Sequence, residues 1–322
     1  MKGALGEQLG TLWLRALMVF FGALPHRVAL GLGWLVAEVT WALGVRRRVL
    51  LDNLERVLGG LTGGAERRQI ARRAHRNLCL SAVEMLRASA RPCARLVRHV
   101  RTETPELLRR VAEEPRATIA AVFHSGNVDL IGLWWSRRHP GRPLWAVMKP
   151  LEVERYNRLL LAARRRWGFG IIDAKSPGAI ARINALLARA AIVCMLPDQH
   201  ARKSGITVEF LGQPATMYKG VAAAWLRHPE ARVLVVVDRR LDDGPEHVLH
   251  AAEVERPPPS GDRAEDLRAM LQRLCDVAGE LILRHPESYL WHHRLWRAGP
   301  ERGERPRAHL PAGEPDARTA AR

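Results

Sequence analysis

An α/β fold is predicted, with a mostly parallel central sheet flanked by helices, behind an N-terminal helical segment that associates with a membrane. Three observations carry this. From about residue 117, short apolar runs bounded by Gly, Pro, Asp or His alternate with longer stretches whose apolar residues recur every three or four positions. That alternation of periods 2 and 3.6 is the pattern of a sheet whose parallel strands are joined by helices. From 49 to 115 the helical period runs alone, and before it two apolar runs occupy residues 1–48.

The N-terminal runs come first. "LGTLWLRALMVFFGAL" and "VALGLGWLVAEVTWALGV" are interrupted by Arg15, by Pro25-His26-Arg27 and by Glu38. Neither is the uninterrupted stretch of about 20 apolar residues that spans a bilayer. A cleavable signal peptide fits poorly, since a basic leading region and a small-residue exit are missing. The reading is one or two helices lying in or dipping into a membrane, with Trp13, Trp34 and Trp41 near the headgroups. Arg46, Arg47 and Arg48 would then meet an anionic leaflet. A helical hairpin in a soluble core is the competing reading.

Residues 49–298 form the main domain. "RRVLLDNLERVL" and "AERRQIARRAHRNLCLSAVEMLRASA" are helices separated by "GGLTGG". The runs 117–123, 143–148, 190–196, 206–210 and 232–238 read as buried strands. "EVERYNRLLLAARRRWG", "SPGAIARINALLARA" and "DRAEDLRAMLQRLCDVAGELILRHP" read as helices. The tail, 299–322, is rich in Pro, Gly, Arg and Ala and is expected to be disordered.

Charge narrows the partners without choosing among them. The 322 residues carry 51 Lys and Arg against 33 Asp and Glu, a formal net charge of +18. Such an excess favours anionic partners. No nucleic-acid motif accompanies it, and the aromatic residues sit in apolar surroundings rather than along a basic stripe, so nucleic acid is not expected. Cys79, Cys93, Cys194 and Cys275 show no paired spacing, which removes a disulfide framework and a zinc site. No metal or cofactor is expected.

One segment concentrates chemistry. "ATIAAVF" followed by "HSGNVDL" reads as a strand, a tight turn and a helix start. This puts His124 beyond the carboxyl end of a strand, where α/β sheets bind ligands. Asn127 is the expected helix cap, with Asp129 in the first turn. A carboxylate there can hold one imidazole nitrogen and leave the other as a base toward a hydroxyl. The competing reading is structural: His124 ends the strand and Asp129 faces the helix dipole. Asp198 and Gln199, in "PDQ", follow another strand, where a turn initiator is the plainer reading.

Further segments decide between them. "VRRRVLLDNLERVL", "FHSGNVDL", "MKPLEVERYNRLLLAARRRWG", "MLPDQH…GITVEFLGQPAT" and "SYLWHHRLWR" occur in this order. With them the chain resembles the bacterial lipid A biosynthesis acyltransferases (the lauroyl/myristoyl acyltransferase family), within the wider lysophospholipid-acyltransferase-like fold. The resemblance reaches from the N-terminal apolar segment to about Arg297. It implies a glycerolipid acyltransferase-like α/β domain that moves a fatty acyl chain from an acyl thioester to a hydroxyl of a lipid A precursor.

The resemblance also implies roles. His124 would be the general base and Asp129 its orienting carboxylate, although the family often has a tryptophan and a glutamate where Val128 and Asp129 stand. Lys149, Arg164 and Arg165 would bind phosphate or stabilise the oxyanion at the thioester carbonyl. Asp198 and Gln199 would order the site or belong to the acceptor pocket, with Asp198 also able to bind an arginine. Phe210 and Leu211 would line an acyl pocket in a loop at 209–216. Tyr289, Trp291, His293 and Arg294 match a C-terminal signature that is expected to pack against the sheet. Donor, acceptor and membrane partners would be acyl carrier protein or acyl-CoA, a lipid or glycolipid, and the cytoplasmic face of an anionic inner membrane. The alternatives are the same chemistry on another glycolipid, lysophospholipid or aminolipid, or a noncatalytic basic protein that binds membrane or nucleic acid.

Overall fold

The computed structural model describes residues 2–90, 96–151, 153–201 and 204–296. The expected disordered tail and Cys93 lie outside the described residues.

Four helices open the chain: α1 (Lys2–Ala23), α2 (His26–Ala42), α3 (Arg47–Leu58) and α4 (Gly64–Ala90). Pro25 separates α1 from α2, since a proline cannot donate into the preceding helix but readily precedes a new one. Both α1 and α2 pack on α4, around Phe21, Ala29 and Val83. Arg87 of α4 fastens their hairpin by donating to the carbonyls of Phe21 and Leu24. Glu38, the acid that interrupts the second apolar run, faces α4 and pairs with Arg72 and Arg76. No single helix among the described residues is long and apolar enough to cross a membrane. The bent pair α2 and α3, at 84°, passes that test only jointly.

The body follows as β1 (Val100–Thr102), α5 (Pro105–Glu113), β2 (Thr118–Val122), α6 (Val128–Arg138), β3 (Leu144–Met148), α7 (Glu154–Trp167), β4 (Gly170–Asp173), α8 (Ala179–Ala188) and β5 (Ile192–Met195). Then come β6 (Gly205–Phe210), β7 (Gln213–Tyr218), α9 (Gly220–Arg227), β8 (Arg232–Arg240), β9 (His247–Glu253) and α10 (Arg263–Arg284). The large sheet has the order β1-β9-β8-β2-β5-β3-β4. From β8 to β4 every pairing is parallel, and β9 joins β8 antiparallel. This is the mostly parallel α/β sheet that the alternation predicts.

Strand β2 lies in the middle and all five of its residues are buried. Its side chains alternate between two cores. Ile119, Ala121 and Phe123 pack with α3, α9 and α10, whereas Ala120 and Val122 pack with α5, α6 and α7. A strand covered by helices on both faces has to be apolar throughout, which explains its continuous run.

Two segments differ from the sequence expectation. Residues 206–210 form a strand, but in a separate antiparallel hairpin with β7. The expected loop at 209–216 is therefore mostly strand, turned at Leu211 (φ 54) and Gly212 (φ 74). Two successive positive φ values match the twist of a two-residue hairpin. Strand β9 escapes an apolar-run criterion because His247 and His250 interrupt it.

Candidate active site

Sheet register builds the site. Strand β2 pairs with β5 as Ala121↔Met195 and with β8 as Val122↔Val236. Continuing both registers past the strand ends brings His124 level with Asp198 on one side and Asp238 on the other. Two carboxylates on neighbouring strands thus converge on the turn that carries the histidine.

The two do different work. Asp198 Oδ1 lies 2.7 Å from His124 Nδ1, and its Oδ2 accepts from the His124 backbone N–H at 2.7 Å. A carboxylate only accepts, so Nδ1 carries the proton and Nε2 keeps its lone pair. The Gln199 amide nitrogen is 3.3 Å from Nε2. Burial alone would lower the His124 pKa, but the charge and hydrogen bond of Asp198, with help from Asp129, leave it above the ordinary imidazole value. Burial would likewise raise Asp198, and the charge and hydrogen bonds of His124 outweigh it, so its carboxyl is held below the usual range. Tyr289 donates its hydroxyl to the same carboxylate. Burial first, then the Asp198 charge, pushes that phenol far above its ordinary value.

Asp238 pins the turn. Its Oδ2 accepts from the Asn127 backbone N–H at 2.7 Å, and its carbonyl accepts from Ser125 Oγ at 2.8 Å. Gly126 (φ 63) donates to the Ser288 carbonyl, and Leu290 donates to the His124 carbonyl. Asn127 caps α6 through Oδ1 and gives its amide to Glu84 at 2.9 Å. Behind it lies a buried charge cluster. Arg240 holds Glu84 with two bonds of 2.9 and 2.6 Å, and His247 bridges Asp238 at 2.7 Å and Glu84 at 3.3 Å. Burial opposes both charges. The Asp238 and Glu84 charges nevertheless raise His247 to about 9, and Arg240 with His247 depresses Glu84 strongly. At neutral pH two anions therefore face two cations, which is how a buried cluster escapes the cost of an unpaired charge.

Asp129 has another partner. Its carboxylate receives Nε and Nη2 of Arg164 at 2.8 and 2.9 Å, a bidentate pair. Asp129 lies in the first turn of α6, and Arg164 in the last turn of α7. The orienting carboxylate of His124 is therefore Asp198 in this structure, not Asp129. The physical reason is register, which puts Asp198 beside the ring while Asp129 is engaged by Arg164. A cleft of about 190 Å³ opens here, walled by His124, Asp129, Val128, Leu290 and the α4 residues Leu78 and Met85. His124 exposes 18% of its side chain, while Asp198 exposes none.

Residues 6–298 match the family model described as bacterial lipid A biosynthesis acyltransferase. The chain belongs to that family. It is also 28% identical, over 107 residues, to a phosphatidylinositol mannoside acyltransferase of Mycobacterium tuberculosis (strain CDC 1551 / Oshkosh). That match covers 32% of this chain and 33% of the relative. A second phosphatidylinositol mannoside acyltransferase, from strain ATCC 25618 / H37Rv, is 28% identical over 108 residues with the same coverage. The matched segment is about a third of the length of these relatives.

Within this acyltransferase family member, His124, Asp198, Gln199, Asp129 and Arg164 come together. Lys149 and Arg165 do not contact His124, and both are exposed. Phe210 and Leu211 are buried core residues rather than cleft lining. The Phe210 ring lies 5.6 Å from Phe123 and 5.9 Å from Tyr289, one layer beneath His124. Sequence reasoning gave no site role to Glu84, Asp238, Arg240 or His247, and expected Tyr289 only to pack. A signal for Glu84 was present: it is the single acid inside the apolar face of "LSAVEML".

Proposed function

We propose that this protein transfers a fatty acyl chain from an acyl thioester, on acyl carrier protein or coenzyme A, to a hydroxyl of a lipid A precursor. His124 Nε2 removes the hydroxyl proton as the oxygen attacks the thioester carbonyl. Asp198 stabilises the imidazolium that forms, with Tyr289 and the His124 N–H holding the carboxylate in place. The tetrahedral intermediate then collapses, the C–S bond breaks, and the imidazolium returns its proton to the leaving thiolate. Arg164, held by Asp129 at the cleft, supplies positive charge toward the oxyanion.

The observation that carries this reading is the His124–Asp198 pair at the mouth of an apolar cleft. A base with a fixed tautomer, whose second nitrogen meets only the Gln199 amide at 3.3 Å, can activate a hydroxyl that replaces that contact, without a serine or cysteine intermediate.

A membrane location also belongs to this reading. Leu12, Trp13 and Phe20 of α1 and Trp34 and Leu35 of α2 are exposed, and Leu43 beyond α2 is 75% exposed. Such a surface seats in the interface of a bilayer, with α4 and its cleft directly behind it. The cytoplasmic face of an inner membrane would supply the thioester donor and the lipid acceptor together.

A second reading changes only the acceptor. The mycobacterial relatives favour a mannosylated phosphoinositide or another glycolipid, and the shorter Asp129 after Val128 fits an altered acceptor pocket. Mass spectrometry of total lipids from a deletion strain separates the two. Loss of one acyl chain from lipid A supports the first. An unchanged lipid A beside a different lipid lacking one chain rejects it. Purified wild type that consumes no more thioester than His124→Ala with either acceptor rejects both.

A further inference from the structure

Arg46 is placed against its own electrostatics. It has a left-handed backbone (φ 55, ψ 3) at the N-cap of α3, a conformation that side chains other than glycine rarely adopt. Arg47 and Arg48 follow in the first turn, where no acid is present. The positive end of a helix repels cations, so this arrangement is unfavourable in isolation.

The three side chains diverge. Arg47 lies over the Trp41 ring, 5.8 Å from its centroid, and Arg48 turns to Asp52 at 3.8 Å. Arg46, itself exposed, reaches across to the body of the protein and donates to the carbonyl of His292 at 3.3 Å. Among the described residues no carboxylate forms an ion pair with it. The next residue along, His293, is exposed and its ring lies 5.7 Å from that of His124. The Arg46 charge reaches the His293 ring, contributing, after burial and the His124 charge, to a pKa below the ordinary value. Just before Arg46, Leu43 and Val45 are exposed. A guanidinium without a carboxylate partner among the described residues therefore stands where the apolar N-terminal surface ends, one residue from the histidine whose ring meets His124; with that surface seated on a bilayer, this is the level at which a lipid carries its phosphate.

We propose that Arg46, with His293 beside it, forms a phosphate subsite that takes the anionic headgroup phosphate of the acceptor while the acceptor hydroxyl meets His124. This rests on the acyl-transfer reading and adds a substrate requirement: the acceptor bears a phosphate near the hydroxyl that is acylated. Bound phosphate would compensate the Arg46 charge, and Arg46 is the residue that selects for it.

The test compares Arg46→Gln with wild type on a phosphorylated disaccharide lipid, a phosphatidylinositol mannoside and the dephosphorylated disaccharide lipid. Losing one charge-assisted contact is expected to raise KM for the phosphorylated acceptors by about tenfold or more. The preference over the dephosphorylated lipid then collapses, and KM for the thioester does not move. Arg48→Gln is expected to keep the preference, because its side chain points to Asp52. Equal losses on phosphorylated and dephosphorylated acceptors would overturn the proposal. So would a loss traced wholly to weaker binding of phosphatidylglycerol vesicles, since Arg46 would then serve the bilayer surface.

A readout independent of turnover is the His293 imidazole NMR signal during titration with inorganic phosphate. A saturable shift in wild type that is lost in Arg46→Gln supports the subsite, even if neither acceptor is acylated. No shift in wild type with either inorganic phosphate or a short-chain phosphatidic acid overturns it. A shift with the lipid alone assigns the site to headgroups rather than to free phosphate.

Discussion

His124 is held twice by one carboxylate: Nδ1 is 2.7 Å from Asp198 Oδ1, and the backbone nitrogen is 2.7 Å from Asp198 Oδ2. Ring and main chain are therefore oriented together, and the residue that does this lies 74 positions away in sequence.

Asp198→Asn should separate proton chemistry from packing. The amide keeps the volume but loses the charge that favours the imidazolium. We expect kcat to fall by about 10²- to 10⁴-fold, the range supplied by a working acid–base group. Since Asp198 raises the His124 pKa, the acid limb of the pH–rate profile should move to lower pH in the variant. A limb that stays in place would show that Asp198 does not tune the base. The same interaction stabilises the fold below the ordinary imidazole pKa and fades as pH rises through the raised value, so Asp198→Asn should flatten that fall.

Asp129 and Arg164 should behave as a unit. Asp129→Ala frees a guanidinium that is otherwise held bidentate, and Arg164→Ala leaves a carboxylate alone near the cleft. If Arg164 supplies the charge, the double variant should lose no more activity than Arg164→Ala. The coupling should be about 0.5–3 kcal/mol, the range for residues sharing one ion pair. The acid limb in Asp129→Ala should move less than in Asp198→Asn. A larger shift from Asp129 would make it the principal carboxylate of His124 after all.

The contrast between these aspartates marks what a sequence can show. His124, Asp198 and the alternation of strands and helices are local signals: a strand end, a turn, a change of period. The pairing of His124 with Asp198 depends on β2 lying next to β5, and strand order is not written in any one segment. Asp129 is near His124 in sequence and on the same turn, which makes it the natural local choice. Arg164, delivered by α7, takes it instead. Tyr289 reads as a packing residue and Glu84 goes without a role, because nothing nearby in sequence announces the partner of either. Phe210 carries the opposite lesson, since a motif position can support the site from beneath without touching the cleft.

The exposed apolar surface of α1 and α2 makes a membrane prediction. Val28→Glu with Leu35→Glu places two charges on that surface and leaves Trp34, whose ring carries Arg76 of the Glu38 pairs at 5.1 Å, in place. Burying a side chain of this size is worth about 1.5–3 kcal/mol. The double variant should therefore float with phosphatidylglycerol vesicles at least tenfold less, at an unchanged melting temperature. Equal flotation would remove the membrane role from this face.

The buried cluster behind Asn127 predicts a stability window. Glu84 has a depressed pKa, so its contribution is present above about 4.5 and is lost as pH falls. His247 is raised to about 9, so its contribution is complete below about 6.5 and is lost as pH rises through that value. Thermal melts should therefore peak between these limits and decline toward pH 9. Glu84→Gln removes one anion from a buried pair and should cost about 3–5 kcal/mol. His247→Gln should abolish the decline toward pH 9. A wild-type melting temperature that is flat from pH 6 to 10 would contradict a charged His247.

Gly126 offers the sharpest separation of backbone strain from site geometry. Its φ is 63, and a Cβ built there would lie 2.2 Å from Asp238 Oδ2 and 2.7 Å from the Asp238 carbonyl oxygen. Gly178, at the N-cap of α8, has φ 82 and open space within 4 Å of its Cβ position. Alanine at Gly178 thus reports only the left-handed backbone, about 1–2 kcal/mol. Alanine at Gly126 meets the same backbone cost and must also displace the carboxylate that holds Asn127 and His247. Gly126→Ala should therefore lose clearly more stability than Gly178→Ala in denaturant melts. It should also lower kcat, because the freed Asn127 no longer fixes the turn that carries His124. If both variants lose equal stability and both keep activity, Asp238 tolerates displacement, and the cluster behind the turn is scaffolding that does not set the position of the base.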